Sequence, residues 1–187
     1  AAPAPAKIQI PEEPAAAIQY VIRGMAGGNG AVLWEAMPAS YQTDVNSIAQ
    51  LAGTKIDPEL YDRVFATVGR LANVLNKQKT FALNSSLGGE EKDPEEIAKM
   101  EEAWPSIMQL VETLTSSALV SASGLQNFDG KDFFAGTVSA ILADVDALSK
   151  LQLESDEPTL AELKNAEVKY VEGTETEATL EISMPNG

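Results

Sequence analysis

Between Asp57 and Leu83 the chain carries a long apolar repeat that limits the fold more than any other feature. Leu60, Val64, Val68, Leu71 and Leu75 follow one another at spacings of 4, 4, 3 and 4, the period of one helix face, and Tyr61, Phe65 and Ala72 widen that face. Asp57 stands where a side-chain oxygen caps a helix, and Pro58 where a missing N–H costs nothing. Glu59 and Asp62 stand where the positive end of the dipole favours acid. At a rise of about 1.5 Å per residue the pattern predicts a core-facing rod of roughly 38 Å, on which other helices pack.

Further helices are predicted on both sides. Ile18, Val21, Ile22 and Met25 mark one that stops at Gly27-Gly28-Asn29-Gly30, a cluster that no strand precedes and that lacks the offsets of a dinucleotide fingerprint. Ala31 to Met37, with Trp34, is a short apolar piece. Ser40 is expected to cap a helix whose buried face is Tyr41, Val45, Ile48 and Ala52, ending near Gly53. Ser85 to Asp93 is a polar loop. Asp93-Pro94-Glu95-Glu96 then opens a helix with a heptad-like seam at Ile97, Met100, Trp104, Ile107, Val111 and Leu114, and Pro105 is expected to bend it near Trp104. Thr115 to Gly124 is expected to fray into a connection, and a last long helix buries Phe134, Val138, Ile141, Val145 and Leu148.

From Glu154 the composition changes. Asp156-Glu157-Pro158 opens a short helical turn through Leu163, after which the apolar period becomes two over Glu167 to Glu172 and Ala178 to Met184, with a turn at Gly173-Thr174-Glu175-Thr176. The predicted class is therefore mainly α, a multi-helix bundle with a C-terminal β-hairpin (α+β). Residues 1–13 read as a flexible Ala/Pro tether, 14–153 as the helical domain, and 154–187 as a short helix and hairpin, truncated or appended. An isolated hairpin is marginal, so further strands or a second subunit are expected to complete it, the latter as a homodimer through the hairpin.

Several chemistries are excluded by composition. The 187 residues contain neither Cys nor His, which removes thiolate nucleophiles, imidazole bases, the Ser-His-Asp triad and an ordinary zinc site. The net charge of −15 falls entirely on residues 90–187, because residues 1–89 hold seven acidic and seven basic side chains. Such a half repels phosphate and anionic lipid, so no nucleic acid is expected as a partner. No apolar run reaches the ~18 residues of a transmembrane segment. Asn127-Phe128-Asp129-Gly130-Lys131-Asp132 has some likeness to a calcium loop. Aligned on Gly130, however, it puts Leu125 at the first ligand position and Gly136 where a bidentate Glu belongs, so it reads as a turn into a helix. Asp144 and Asp146, two apart on a helix, do not face each other. No cofactor and no catalytic residue is expected.

One surface feature stands out. Arg63, Arg70 and Lys77 recur every seven residues, and no acidic residue occurs between Arg63 and Gly89. The stripe reads as an ordinary solvated face, as a partner-binding surface, or as an internal contact for the acidic segment Glu90 to Glu102. Trp34, Trp104 and Tyr41 are expected in the core.

Pro38-Ala39-Ser40-Tyr41-Gln42-Thr43-Asp44-Val45-Asn46, followed by Asp57-Pro58-Glu59-Leu60-Tyr61-Asp62 and Lys77-Gln78-Lys79-Thr80-Phe81-Ala82-Leu83, resembles a group of exported, uncharacterised bacterial proteins with a helical N-terminal region. The resemblance implies a periplasmic or cell-envelope location and brings no activity and no site residues. A start at Ala1 without Met fits removal of an export signal or of a lipid-modified cysteine ahead of it, and equally an arbitrary boundary. Leu160 to Met184 is similar to the entry into twisted sheets of NTF2-like proteins. The function expected is a non-enzymatic, envelope-associated partner-binding or structural domain. Its alternative is a small-molecule-binding domain, with a cavity between helices and a sheet completed by missing strands or a second subunit.

Overall fold

The computed structural model describes residues 9–84, 93–150, 159–174 and 177–184. Within them the chain is mainly helical and ends in a two-stranded antiparallel hairpin, as the two periodicities predict. In α1 (Pro14–Ala26) the Glu13 carboxylate caps the first turn by accepting from the Ala15 and Ala16 N–H groups. The helix stops at Gly27, and Gly28 turns the chain in the left-handed region at φ 79°. The apolar piece after it is itself helical, α2 (Ala31–Glu35). α3 (Ala39–Lys55) starts a residue ahead of the expected Ser40 cap, with Pro38 in the capping position. Asp57 caps α4 (Pro58–Lys77) through a 3.0 Å bond from the Leu60 N–H, as predicted. The long rod is divided at Gln78, whose φ of −106° and ψ of 32° end α4 before α5 (Lys79–Asn84) begins.

Asp93 caps α6 (Pro94–Thr115), which runs through Pro105 as one helix. The next stretch is more regular than its Ser, Ala and Thr content predicts. The Ser117 hydroxyl caps a 3₁₀ turn at Ala118–Val120, and the Ser121 hydroxyl caps α7 (Ala122–Gln126). These small polar residues cap helices instead of fraying one. Asp129 caps α8 (Gly130–Phe133), so the calcium-like hexapeptide is a turn into a helix. A π-helical turn, Phe134–Val138, joins α8 to α9 (Ser139–Ser149). After α10 (Leu160–Leu163), closed by reciprocal capping between Thr159 and Glu162, come β1 (Glu167–Gly173) and β2 (Ala178–Ser183). Tyr170 lies opposite Leu180 and Glu172 opposite Thr179, so Val171 is the extra residue of a bulge. The expected loop at 85–92 and the helical opening at 156–158 lie outside the described residues.

The core sits where α2 meets the α8–α9 turn. Trp34 is 4% exposed and Val32 1%. The Trp34 ring lies 5.5 Å from Phe134, Phe134 meets Phe133 edge-on at 5.8 Å, and Phe133 lies 5.2 Å from Phe128. Gly130 passes under the indole so closely that a Cβ there would stand 2.2 Å from the ring. Gly30 seats in the widened π turn, where its N–H donates to Ser139 Oγ at 2.8 Å and where a side chain would strike the Phe134 carbonyl. Packing thus accounts for the π turn.

The faces of α3 and α4 that periodicity assigns to the core are largely on the surface. On α3, Tyr41 and Ile48 are exposed and Val45 and Ala52 half-buried. The helix docks by its polar side. Gln42 Nε2 donates to the Trp34 and Met37 carbonyls at 2.9 and 3.1 Å, Asn46 Oδ1 accepts the Gly130 N–H at 2.7 Å, and Gln50 Nε2 donates to the Phe128 carbonyl at 2.9 Å. Gly53 completes the row: its carbonyl accepts from Gln126 Nε2 at 2.8 Å, and it is the buried residue of the helix. Positions 42, 46, 50 and 53 share one helix face. Asn46 and Gln50 join α3 to backbone groups of the 126–130 corner, Gly53 takes the Gln126 side chain there, and Gln42 holds carbonyls at and just after the end of α2.

On α4, Leu60, Val64, Val68 and Leu71 are exposed, and Leu75 is half-buried. The contacts are made beside the apolar row, by Tyr61, expected to widen it, and by the polar residues Asp62 and Asn76. Tyr61 Oη donates to the Leu119 carbonyl at 2.6 Å, Asp62 Oδ1 accepts the Ala122 N–H at 2.8 Å, and Trp104 Nε1 donates to Asn76 Oδ1 at 3.1 Å. Leu114 of α6 and Val145 of α9 are likewise more exposed than their periodicity predicts. Gln19 of α1 clamps the hairpin, donating to the Ala166 carbonyl at 2.7 Å and accepting the Val168 N–H at 3.0 Å.

Candidate docking surface

The Asp57 cap and Pro58 in the first turn set the start of α4, and with it the direction of each side chain along the helix. Tyr61, Phe65, Ala72 and Asn76 recur at spacings of 4, 7 and 4 and lie on the side turned to α6 and α7. Leu60, Val64, Val68, Leu71 and Val74 form a second row beside it, and they are 63, 50, 44, 58 and 55% exposed. Single exposed apolar residues are ordinary, but five in line on one helix form the kind of contiguous patch that marks an interaction site. Tyr41, Ile48 and Leu51 of α3 add further exposed apolar surface.

The basic residues singled out in the sequence border this row. Arg63, Arg70 and Lys77 are all exposed on α4. Arg63 is paired with Glu59 one turn back, an exposed bridge of the kind that contributes little to stability. Among the described residues Arg70 and Lys77 have no acidic side chain in salt-bridge reach. Val74 stands between them, four residues after one and three before the other, the spacings at which helix side chains are neighbours. The contact between the basic region and the acidic segment of α6 runs through another residue: Lys79 Nζ lies 3.6 Å from Glu101 Oε1 and donates to the Glu101 carbonyl at 3.0 Å.

The other candidates have structural partners. Asp144 Oδ2 accepts from Thr113 Oγ1 at 2.7 Å, and Asp146 pairs with Lys150 at 2.7 Å. Among the described residues no three carboxylates gather closely enough to hold a metal ion, and no helix is long and apolar enough to cross a membrane. Of the three aromatics expected in the core, Trp34 is there, Trp104 is half-buried against Asn76, and Tyr41 is 62% exposed. A cleft of about 560 Å³ separates α4 from α6, lined by Gly69, Asn73, Asn76, Trp104, Met108 and Glu112. Its amides are engaged within the protein, Asn73 Nδ2 to the Gly69 carbonyl and Asn76 to the indole. It lies between two helices, not between helices and the sheet.

Sequence reasoning named the basic stripe but assigned the apolar row beside it to the core, whereas Leu60, Val64, Val68 and Leu71 are exposed. The signal was present in the width of the pattern: residues 60, 64, 68, 71 and 75 together with 61, 65 and 72 cover more of the helix than one neighbour can bury. Set against known protein families, curated proteins and solved structures, the chain matches none.

Proposed function

We propose that this chain is a non-enzymatic partner-binding or structural module of the cell envelope, and that it works through the exposed apolar faces of α3 and α4. The observation carrying this reading is the row from Leu60 to Val74, which is exposed on a helix tied to the neighbouring segments through Tyr61 and Asp62. Burial of such a row against a partner removes apolar surface from water, and Arg63, Arg70 and Lys77 along its edge give the contact a direction.

A photo-reactive amino acid at Leu71 tests this in the living host, with Asp132, an exposed position on another helix, as control. The expected result is a discrete cross-linked species from position 71 and none from position 132, in the envelope fraction. Absence of adducts at both, with the variants folded, contradicts the docking reading; recovery of the adduct in the cytosol contradicts the envelope setting alone.

A second reading is binding of a small molecule in the α4–α6 cleft, favoured by its volume, which falls within the range of ligand sites, and by the Trp104 ring on its wall. A compound retained on native purification and displaced by Trp104→Ala would support it.

A further inference from the structure

We infer that the occupant of the α4 face is an amphipathic helix with an acidic flank, supplied by another protein. The inference rests on the docking reading above and names the chemistry of the partner. From Leu60 to Val74 the exposed row runs about 21 Å, four helical turns at about 1.5 Å per residue. A helix laid along it meets it with apolar residues spaced i, i+3 or i+4, and i+7, the spacing of helix-in-groove recognition.

Charge selects among helices. Arg63, Arg70 and Lys77 stand at intervals of seven residues, about 10.5 Å apart, along the same edge of the row. Arg70 and Lys77 carry no acidic partner among the described residues, and no acid occurs in the sequence from Arg63 to Gly89. On a chain of net charge −15 this edge is a local cationic strip, and carboxylates on a docked helix, repeated every seven residues, would meet it in register. A cationic helix would be drawn instead to the acidic remainder of the surface.

The same charges weigh against a second copy. Two α4 rows packed antiparallel, with Val64 of one opposite Leu71 of the other, bring Arg63 within a turn of the second copy's Arg70. Parallel packing carries the two cationic strips to opposite edges of the pair and leaves both without an acidic partner. Like charges facing across an interface are unfavourable, so antiparallel self-pairing concentrates, and parallel self-pairing leaves in place, the charge that an acidic partner neutralises. An anionic bilayer would meet the same strip, but the net charge of the chain opposes its approach.

The experiment uses the full chain and two labelled synthetic helical peptides with the same apolar row. One carries Glu at every seventh flanking position and the other Lys, and binding is followed by fluorescence anisotropy. The Glu peptide is expected to bind about tenfold more tightly at low salt, with the difference shrinking as salt shortens the reach of charge. Arg70→Glu/Lys77→Glu should reverse the preference without moving the thermal midpoint, and Arg70→Gln/Lys77→Gln should abolish it. Equal binding of the two peptides, or binding of neither, overturns the proposal. So does a dimer, seen by sedimentation, that Leu71→Glu dissolves, which would make a second copy the occupant. Phosphatidylglycerol vesicles binding where the Glu peptide does not would also overturn it, in favour of lipid. Cross-linking at Leu71 without a Glu-peptide preference removes this inference and leaves the docking reading standing; loss of the cross-link removes both.

Discussion

Trp34→Ala is expected to lower the unfolding free energy by about 3–5 kcal/mol, the largest loss of any single truncation in the chain. The indole is 4% exposed, lies 5.5 Å from Phe134 and rests on Gly130 with no room for a Cβ between them. Neighbouring backbone segments are fixed by the carbonyls and N–H groups that Gln42 and Asn46 engage, so the cavity cannot readily collapse. Equilibrium urea unfolding followed by circular dichroism measures the loss, and an unchanged slope with a lower midpoint is the expected form. A loss below about 1 kcal/mol would mean that the core lies elsewhere.

Two glycines in helices should respond to alanine with opposite signs. In a helix interior alanine is intrinsically favoured over glycine by about 1 kcal/mol. At Gly69 of α4 an added Cβ meets nothing within 4 Å, so Gly69→Ala should stabilise the protein by about 0.5–1 kcal/mol. At Gly53 of α3 the same Cβ would stand 2.5 Å from the Gln126 nitrogen and 2.9 Å from Leu125, backbone that cannot turn aside. Overpacking there should outweigh the propensity gain and also stretch the Gln126 bond to the Gly53 carbonyl, for a net loss of about 2–3 kcal/mol. Thermal and urea unfolding of the two variants side by side give the signs. A stabilising Gly53→Ala would mean that α3 does not dock on α7 through this glycine.

The local elements were largely legible because their causes are local. Asp57-Pro58, Asp93-Pro94 and the Gly27–Gly30 stop act through capping and backbone conformation within a few residues, and the change to period two at Glu167 sets the hairpin apart. Which helix face is covered is a different question, since an apolar row states a preference for burial without naming a neighbour. α3 docks through Gln42, Asn46, Gln50 and Gly53, residues with no hydrophobic signal, because their partners are polar groups, the carbonyls of Trp34, Met37 and Phe128, the Gly130 N–H and the Gln126 amide, and the approach is close. Gln19 is equally invisible, for its partners Ala166 and Val168 lie 147 and 149 residues away. The break at Gln78 follows no Gly or Pro, and so left no mark in the sequence. Of the candidate site, the spacing of Arg63, Arg70 and Lys77 was readable directly. Its apolar half was read as core, since periodicity is the same for a face buried within the chain and one kept for a partner.

The measurement that tests this account most directly is urea unfolding of Leu60→Gln/Leu71→Gln. If the α4 row faces solvent on the folded chain, the double variant unfolds cooperatively within about 1 kcal/mol of the parent. A loss of about 4 kcal/mol or more, the expected cost of two amides forced into a core without partners, would show that the row is buried inside the protein and leave no docking face to explain.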